Sequence, residues 1–284
     1  MEIRDLHKKD FPSLLLEIND PPKSMRIVGK LPKTEKYLCV VGSRKYSEYG
    51  KNVCEKLIEG LKGYSITIVS GLALGMDAIA HRSALRTKLP TVAVPGSGLG
   101  PKSLYPTTNR VLAEEIVESG GALISEFPDD FLPRLYSFPQ RNRIMAGMCD
   151  ATLIIEAELK SGTLITSKYA TEYNRDVLTV PNSIFSKTSE GPHMLLRLGA
   201  TPITESLDIV SALGLNPHED LFNKRDYSDC STDEHEIINI LNEPRSRDEI
   251  IRLLGKPVYA TQTIIATMEI KGLIEESMGE IHLK

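Results

Sequence analysis

One local construction recurs in this chain and limits what it can fold into: a short apolar run, then a glycine- or serine-marked turn, then a helical stretch. Ser65-Ile-Thr-Ile-Val69 leads into Ser70-Gly-Leu-Ala-Leu-Gly-Met-Asp-Ala-Ile-Ala-His81. Leu38-Cys-Val-Val41 leads into Gly42-Ser43-Arg44 and a helical pattern over 47–61. Thr152-Leu-Ile-Ile155 leads into Glu156-Ala-Glu-Leu-Lys-Ser161-Gly162-Thr163 and another helix. Strands are expected at 38–42, 66–69, 91–95, 122–125, 152–156 and 177–181, alternating with helices. Such alternation requires right-handed crossovers and gives a parallel sheet covered on both faces. The expected fold class is therefore α/β, an extended Rossmann-like parallel sheet domain.

In an open parallel sheet every strand-to-helix turn lies on one edge, so the three turns should line a common crevice. Gly71 and Gly75 let the backbone turn tightly and come close to a ligand, and a new helix offers free N–H groups and the positive end of its dipole. An anion, most simply a phosphate, suits that site. Packing accounts for paired glycines equally well, so recurrence is what gives the motif weight. Ser43, Ser70 and Ser161 each stand at a turn without a Gly-x-Ser-x-Gly elbow, and read as capping or phosphate-touching hydroxyls.

Composition sets the class. A chain of 284 residues with 41% hydrophobic and 25% charged content suits a globular protein with one large and one small domain. Its N-terminal ten residues are charged throughout, and no apolar stretch is long enough to span a membrane, so a cytoplasmic protein is expected. Cys39, Cys54, Cys149 and Cys230 form no Cys-x-x-Cys pair, so neither a metal site nor a disulfide framework is expected. Net charge is -4, which excludes a globally basic surface but not a local basic groove. Residues 231–284 hold 6 basic and 10 acidic residues, so the negative excess sits in this tail.

Residues 1–36, with Pro12, Pro21, Pro22 and Pro32, read as an extended N-terminal arm or small helix laid on the main domain, and 37–214 as the Rossmann-like domain. The polar stretch 215–230 reads as a linker. Within 231–284, three short helices over 234–242, 247–254 and 260–271 precede a hairpin whose turn lies near Met278-Gly279, the pattern of a winged-helix-like domain. The third helix carries one lysine at its end, too few cations for reading DNA, which favours a protein-contact or structural role.

Phe138-Pro-Gln-Arg141-Asn142-Arg143 is the densest basic motif of the large domain. At a helix start, Arg141 and Arg143 would grip phosphates, Asn142 would add an amide and Phe138 a stacking face; the competing reading is a salt-bridged helix start with Phe138 in the core. Lys168, about two turns into its helix, either extends an electrostatic track or is an exposed helix lysine. Asp77 and His81 share a helix face; an acid–base pair is conceivable, but a helix N-terminal Asp bonded to backbone N–H groups is the commoner arrangement.

Taken in order, these motifs together with Tyr105-Pro106, Gly120-Gly-Ala-Leu-Ile-Ser-Glu-Phe-Pro128 and Gly199-Ala200 closely resemble the DNA-processing protein A (DprA, or Smf) family over roughly residues 10–210. The resemblance implies an extended Rossmann protein that binds single-stranded DNA, protects incoming strands, loads the RecA recombinase in natural transformation, and dimerises through the Rossmann domain. It implies no enzymatic activity, catalytic residue or cofactor. Arg44, Arg141 and Arg143 become the phosphate-side candidates, and the DNA-binding set is Gly42, Ser43, Arg44, Ser70, Gly71, Gly75, Phe138, Arg141, Asn142, Arg143, Ser161, Gly162, Thr163 and Lys168. The chain leaves no room upstream for the helical domain that some members carry. It departs from the usual pattern at Leu74, where a basic residue is frequent, at Asn182, where glycine often follows Val-Pro, and at His193, where asparagine is frequent.

Two enzyme classes compete. Lysine-decarboxylase-like nucleotide phosphoribohydrolases share a related architecture, but Ser161-Gly162-Thr163-Leu164-Ile165-Thr166 lacks their proline–glycine lead and has Thr166 in place of the glutamate that assists glycosidic cleavage. A dinucleotide-dependent oxidoreductase needs Gly-x-Gly-x-x-Gly after its first strand, and Gly42-Ser-Arg-Lys-Tyr-Ser does not provide it.

Overall fold

A computed structural model describes residues 2–216, 230–241, 245–277 and 280–283. The chain divides into two compact units, Met1–His218 and Glu219–Lys284. The first unit is built on a nine-stranded sheet. Its strands are β1 (Arg4–Leu6), β2 (Met25–Gly29), β3 (Lys36–Val41), β4 (Ile66–Ser70), β5 (Thr91–Ala93), β6 (Ala122–Ser125), β7 (Ala151–Ile154), β8 (Asp176–Thr179) and β9 (Thr201–Pro202). Their spatial order is β1-β2-β6-β5-β4-β3-β7-β8-β9. From β6 to β9 all neighbours are parallel, while β2 pairs antiparallel with both β6 and β1.

The helices are α1 (Ser13–Leu16), α2 (Glu48–Glu59), α3 (Met76–Arg86), α4 (Arg110–Glu118), α5 (Ser137–Met148), α6 (Thr163–Glu172), α7 (Glu190–Arg197) and α8 (Ser206–Ala212). Strand β3 shows why both sheet faces are covered. Leu38 and Val40 enter one apolar core, with Leu57 and Ile58 of α2 and Ile79 of α3, while Cys39 and Val41 enter another with Ile144 and Met145 of α5. Side chains alternate across a strand, so a continuous apolar run can fill two cores at once. Each such fully buried side chain contributes roughly 1.5–3 kcal/mol.

The expected extended arm over 1–36 is corrected in one respect. Its residues supply β1 and β2, and Ile27 pairs with Ile124 in the sheet. Prolines flank these strands rather than interrupt them, which is where proline is tolerated. The expected linker over 215–230 lies almost wholly outside the described residues.

The second unit contains α9 (Thr232–Ile240), β10 (Arg245–Ser246), α10 (Arg247–Leu254), α11 (Val258–Ile270), β11 (Ile274–Ser277) and β12 (Glu280–Leu283). β12 pairs antiparallel with both other strands, and Ile237, Ile250, Ile265, Met268, Ile274 and Ile281 form its core. Capping boxes at Ser231/Glu234 and Ser246/Glu249 start α9 and α10. The expected hairpin strands are present; the turn residues Met278 and Gly279 lie outside the described residues.

Candidate functional site

Strand order reverses direction at β3: the chain moves from β3 to β4 and β5 on one side, then crosses back to β7 on the other. Loops leaving β3 and β7 therefore diverge, and the gap between them is where open α/β sheets bind ligands. A cleft of about 410 Å³ occupies this position. Gly42, Ser43, Arg44 and Lys45 line it from the β3 loop, Lys160, Ser161, Gly162 and Thr163 from the β7 loop, and Phe138, Arg141 and Asn142 from α5.

The rim carries the usable charge. Arg44 and Lys45 are exposed on the first loop and Lys160 on the second. Among the described residues none of the three has a carboxylate partner. Glu158 is the acidic residue on the exposed rim. The Arg44 guanidinium lies 5.4 Å from the ring centre of half-buried Phe138, a cation–π distance, and Tyr105 stands 6.1 Å from the same ring. Exposed cations beside an aromatic face are the combination that holds a nucleic-acid backbone while a base stacks. Sequence reading missed Lys45 and Lys160, although each stands one residue outside a turn motif that was recognised.

Beneath the rim the polar groups are committed to the protein itself. Arg141 is 5% exposed and donates to the carbonyls of Gly71, at 2.5 Å, and Val94. Desolvation lowers its pKa to about 10, with the nearby Asp77 carboxylate opposing the shift. Asp77 accepts from the backbone N–H of Gly71 at 3.1 Å and of Ala73 at 3.4 Å. Burial pushes its pKa up. One turn later, His81 is fully buried, shares a 2.8 Å hydrogen bond with Thr91, and has its pKa lowered by desolvation to about 3. Asp77 thus adopts the commoner of its two sequence readings, a brace for the loop before α3.

Several expectations change. Arg143 does not face the cleft: it forms an ion pair with Glu126 and donates to the Asp20 carbonyl at 2.5 Å. In a helix, positions 141 and 143 point in very different directions, so two arginines two apart do not converge on one ligand. Arg141 reaches the cleft wall, but its donors are spent on carbonyls. Ser70 is the buried last residue of β4, and its hydroxyl donates to Val40 at 2.6 Å. A side chain at Gly71 would overlap the Arg141 guanidinium, and one at Gly75 would lie 2.6 Å from the Arg44 backbone. Gly75 has φ +85. Gly75 thus serves packing against the Arg44 loop, and Gly71 makes room for the Arg141 side chain while lining a small notch beside the cleft. Lys168 projects to solvent within 3.8 Å of Glu172 and does not line the cleft.

Helix N-termini also contribute less than expected. Glu156, fully buried at the end of β7, accepts from the Ser47 N–H at 2.9 Å and the Ser47 hydroxyl at 2.6 Å, so a protein carboxylate occupies the start of α2. The Met76 N–H at the start of α3 donates to the Ser43 carbonyl at 3.2 Å. The turn Ser161-Gly162-Thr163 stays in the cleft wall, tied in by Asn142 to the Gly162 carbonyl at 3.3 Å and by the Thr163 hydroxyl to the Gly42 carbonyl at 3.1 Å. Of the departures from the family pattern, Leu74 is half exposed in a small notch beside the cleft. Asn182 and His193 meet: the His193 Nε2 donates to the Asn182 carbonyl at 2.9 Å.

Among known proteins, "Protein Smf" of Escherichia coli (strain K12) is 36% identical over 277 residues, covering 95% of this chain and 74% of that protein. The DNA processing protein DprA of Streptococcus pneumoniae is 38% identical over 206 residues, covering 71% of this chain and 70% of that one. The X-ray structure of the Streptococcus pneumoniae protein superimposes with a TM-score of 0.68 at 36% identity over 76% of each chain. A Helicobacter pylori DNA processing protein A, described for its single-stranded DNA binding mode, superimposes with a TM-score of 0.67 at 30% identity, over 75% of this chain and 95% of that one. The family model described as DNA recombination-mediator protein A matches residues 2–214, and the chain belongs to that family.

Proposed function

We propose that this protein binds single-stranded DNA in the cleft between the β3 and β7 loops, and delivers the bound strand to a RecA recombinase during DNA uptake and recombination. The observation that carries the reading is the rim: Arg44, Lys45 and Lys160 are exposed and, among the described residues, without carboxylate partners, around Phe138 and Tyr105. A flexible strand can thread a narrow cleft and expose its bases to those rings, whereas a duplex keeps its bases stacked and its backbone stiff. Single-stranded DNA binding by the Helicobacter pylori relative supports this assignment.

Binding rather than turnover suits the site. Asp77 is buried against backbone N–H groups and Glu156 is saturated by Ser47 and Thr188, so neither carboxylate is free to exchange protons with a substrate. Thr166, at the position of the hydrolase glutamate, is a buried neutral hydroxyl in the cleft wall. No free base should be released from nucleoside monophosphates; chromatographic detection of turnover that vanishes in Glu156→Gln would reverse the assignment. Loading also requires a protein-contact surface distinct from the cleft, and a homodimer presenting two clefts would raise the local concentration of recombinase at one strand.

The deciding experiment is a salt titration of fluorescence-anisotropy binding to single-stranded and duplex oligonucleotides of equal length. Preference for the single strand, falling affinity with salt, and loss of both in Arg44→Glu are expected. Equal affinity for the two forms across the titration would refute the reading. Strand-exchange kinetics with the cognate RecA on DNA covered by single-strand-binding protein test the loading step.

A further inference from the structure

The loop between β8 and α7 has an unusual combination of rigidity and exposure. Ile184 is 80% exposed and Phe185 92% exposed. Their backbone is nevertheless fixed: the Ser189 hydroxyl donates to the Ser183 carbonyl at 2.5 Å, the Ser186 N–H to the same carbonyl at 3.1 Å, and His193 anchors the Asn182 carbonyl. A loop that orders its backbone while leaving an aromatic ring in water gains no burial from that ring. The ring is therefore available to a ligand in solution.

Its position says what. The loop leaves the C-terminal end of β8, on the edge of the sheet that carries the cleft, and it is bonded to the start of α2. The Tyr49 hydroxyl donates to the Pro181 carbonyl at 2.9 Å, and Glu156 joins Ser47 to Thr188, whose hydroxyl donates to it at 2.9 Å. Since α2 begins three residues after Lys45, these bonds join the loop carrying Arg44, Lys45 and Tyr46 to the loop carrying Phe185 and Lys187, on one edge of the sheet with Tyr49 between them. Tyr46 and Tyr49 are each nearly half exposed. Lys187 is exposed and, among the described residues, has no carboxylate partner. The acidic neighbours are Glu48, which lies 3.8 Å from Lys51, and Glu190 at the start of α7.

We infer that a strand held in the cleft continues across the start of α2 to a second station, where Phe185 stacks on a base and Lys187 meets a phosphate. This deepens the single-stranded DNA assignment and rests on it. Cations flanking aromatic faces along one edge match a single strand, which offers both phosphates and bases. The polarity of the patch does not match a folded partner's apolar face, which would leave its lysines desolvated.

The test compares oligothymidylates of about 6 and about 16 nucleotides, lengths that span the usual range for one binding module. Phe185→Ala should weaken the longer ligand by about tenfold and the shorter by less than about twofold, since one stacked base is lost only when the strand reaches the loop. Phe185→Trp should restore the longer ligand, and Lys187→Ala should lower its salt slope by about one. The 92% exposure of Phe185 keeps folding out of the comparison. If Phe185→Ala affects neither length while Arg44→Glu abolishes both, the second station is wrong and the cleft stands. If Arg44→Glu is also without effect, the cleft assignment fails and takes this inference with it. A fall in mass by light scattering in Phe185→Ala, with equal changes at both lengths, would make the loop a contact between copies and overturn the proposal.

Discussion

The rim and the floor of the cleft contain the same kinds of residue and use them oppositely. Arg44 is on the rim, exposed, with its guanidinium over Phe138 and, among the described residues, no carboxylate partner. Arg141 is on the floor, in contact with the same cleft, but buried and bonded to Gly71 and Val94 above an adjacent Asp77. A cation binds a ligand only with donors that the protein has not already used. Floor residues accordingly fix the shape of the rim loops, and rim residues keep their donors for a ligand.

Arg141→Met offers the severest test of this division. It leaves Asp77 buried without its cation and two carbonyls without a donor, and should cost about 3–5 kcal/mol of stability, read from denaturant unfolding. Full stability with lost DNA binding would move Arg141 to the rim class. For Arg44→Glu the pattern should invert: stability within about 0.5 kcal/mol of wild type, as usual for an exposed site, and single-stranded DNA affinity reduced by tenfold or more in anisotropy. An equal loss of melting temperature would show that Arg44 also braces the fold.

The floor should also make stability depend on pH. His81 has its pKa lowered to about 3, against 6.5 for a free side chain. Between those values the unfolded chain binds a proton that the folded chain refuses, so the stability contribution is full above about 6.5 and is lost as pH falls, by about 1.4 kcal/mol per pH unit. Unfolding curves from pH 7 to 4 should show that slope, and His81→Gln should flatten it; an unchanged slope would place the acid sensitivity elsewhere. Smaller effects separate the cleft from the second unit. Lys160→Ala should weaken binding by about threefold and lower the salt slope by about one. Arg247→Glu should change affinity by less than about twofold. Arg247 is already paired with Glu269 at 2.8 Å and Glu276 at 2.6 Å, and Lys256 and Lys271 are likewise paired, with Asp233 and Glu234. A larger effect from Arg247 than from Lys160 would transfer the DNA site to the second unit.

The parallel strands were legible because each is a short apolar run ended by a turn, and observed β6 over Ala122–Ser125 coincides with its expected range. β1 and β2 were not legible, because β2 joins the sheet through β6, about a hundred residues away, β1 pairs with β2, and neither run alternates strongly enough to declare a strand. Gly42-Ser43-Arg44 and Ser161-Gly162-Thr163 were legible as cleft residues because strand ends in a parallel sheet share one edge. Lys45 and Lys160 were overlooked because a lone lysine beside a turn has no distinguishing pattern. Arg141 and Arg143 show the converse failure, a conspicuous motif whose side chains the fold spends internally.

By itself, the sequence determined that this chain forms a parallel, doubly covered α/β sheet with its loops gathered on one edge, since apolar periodicity and turn residues act locally. Which polar groups remain for a ligand was decided only by tertiary structure. Glu156 reaches the start of α2 across 109 positions of sequence, Arg141 reaches Gly71 across 70, and Arg143 reaches Asp20 across 123. Desolvation forces each buried charge to find a partner wherever the fold places one, and that choice, made in space, leaves Arg44, Lys45 and Lys160 exposed on the rim.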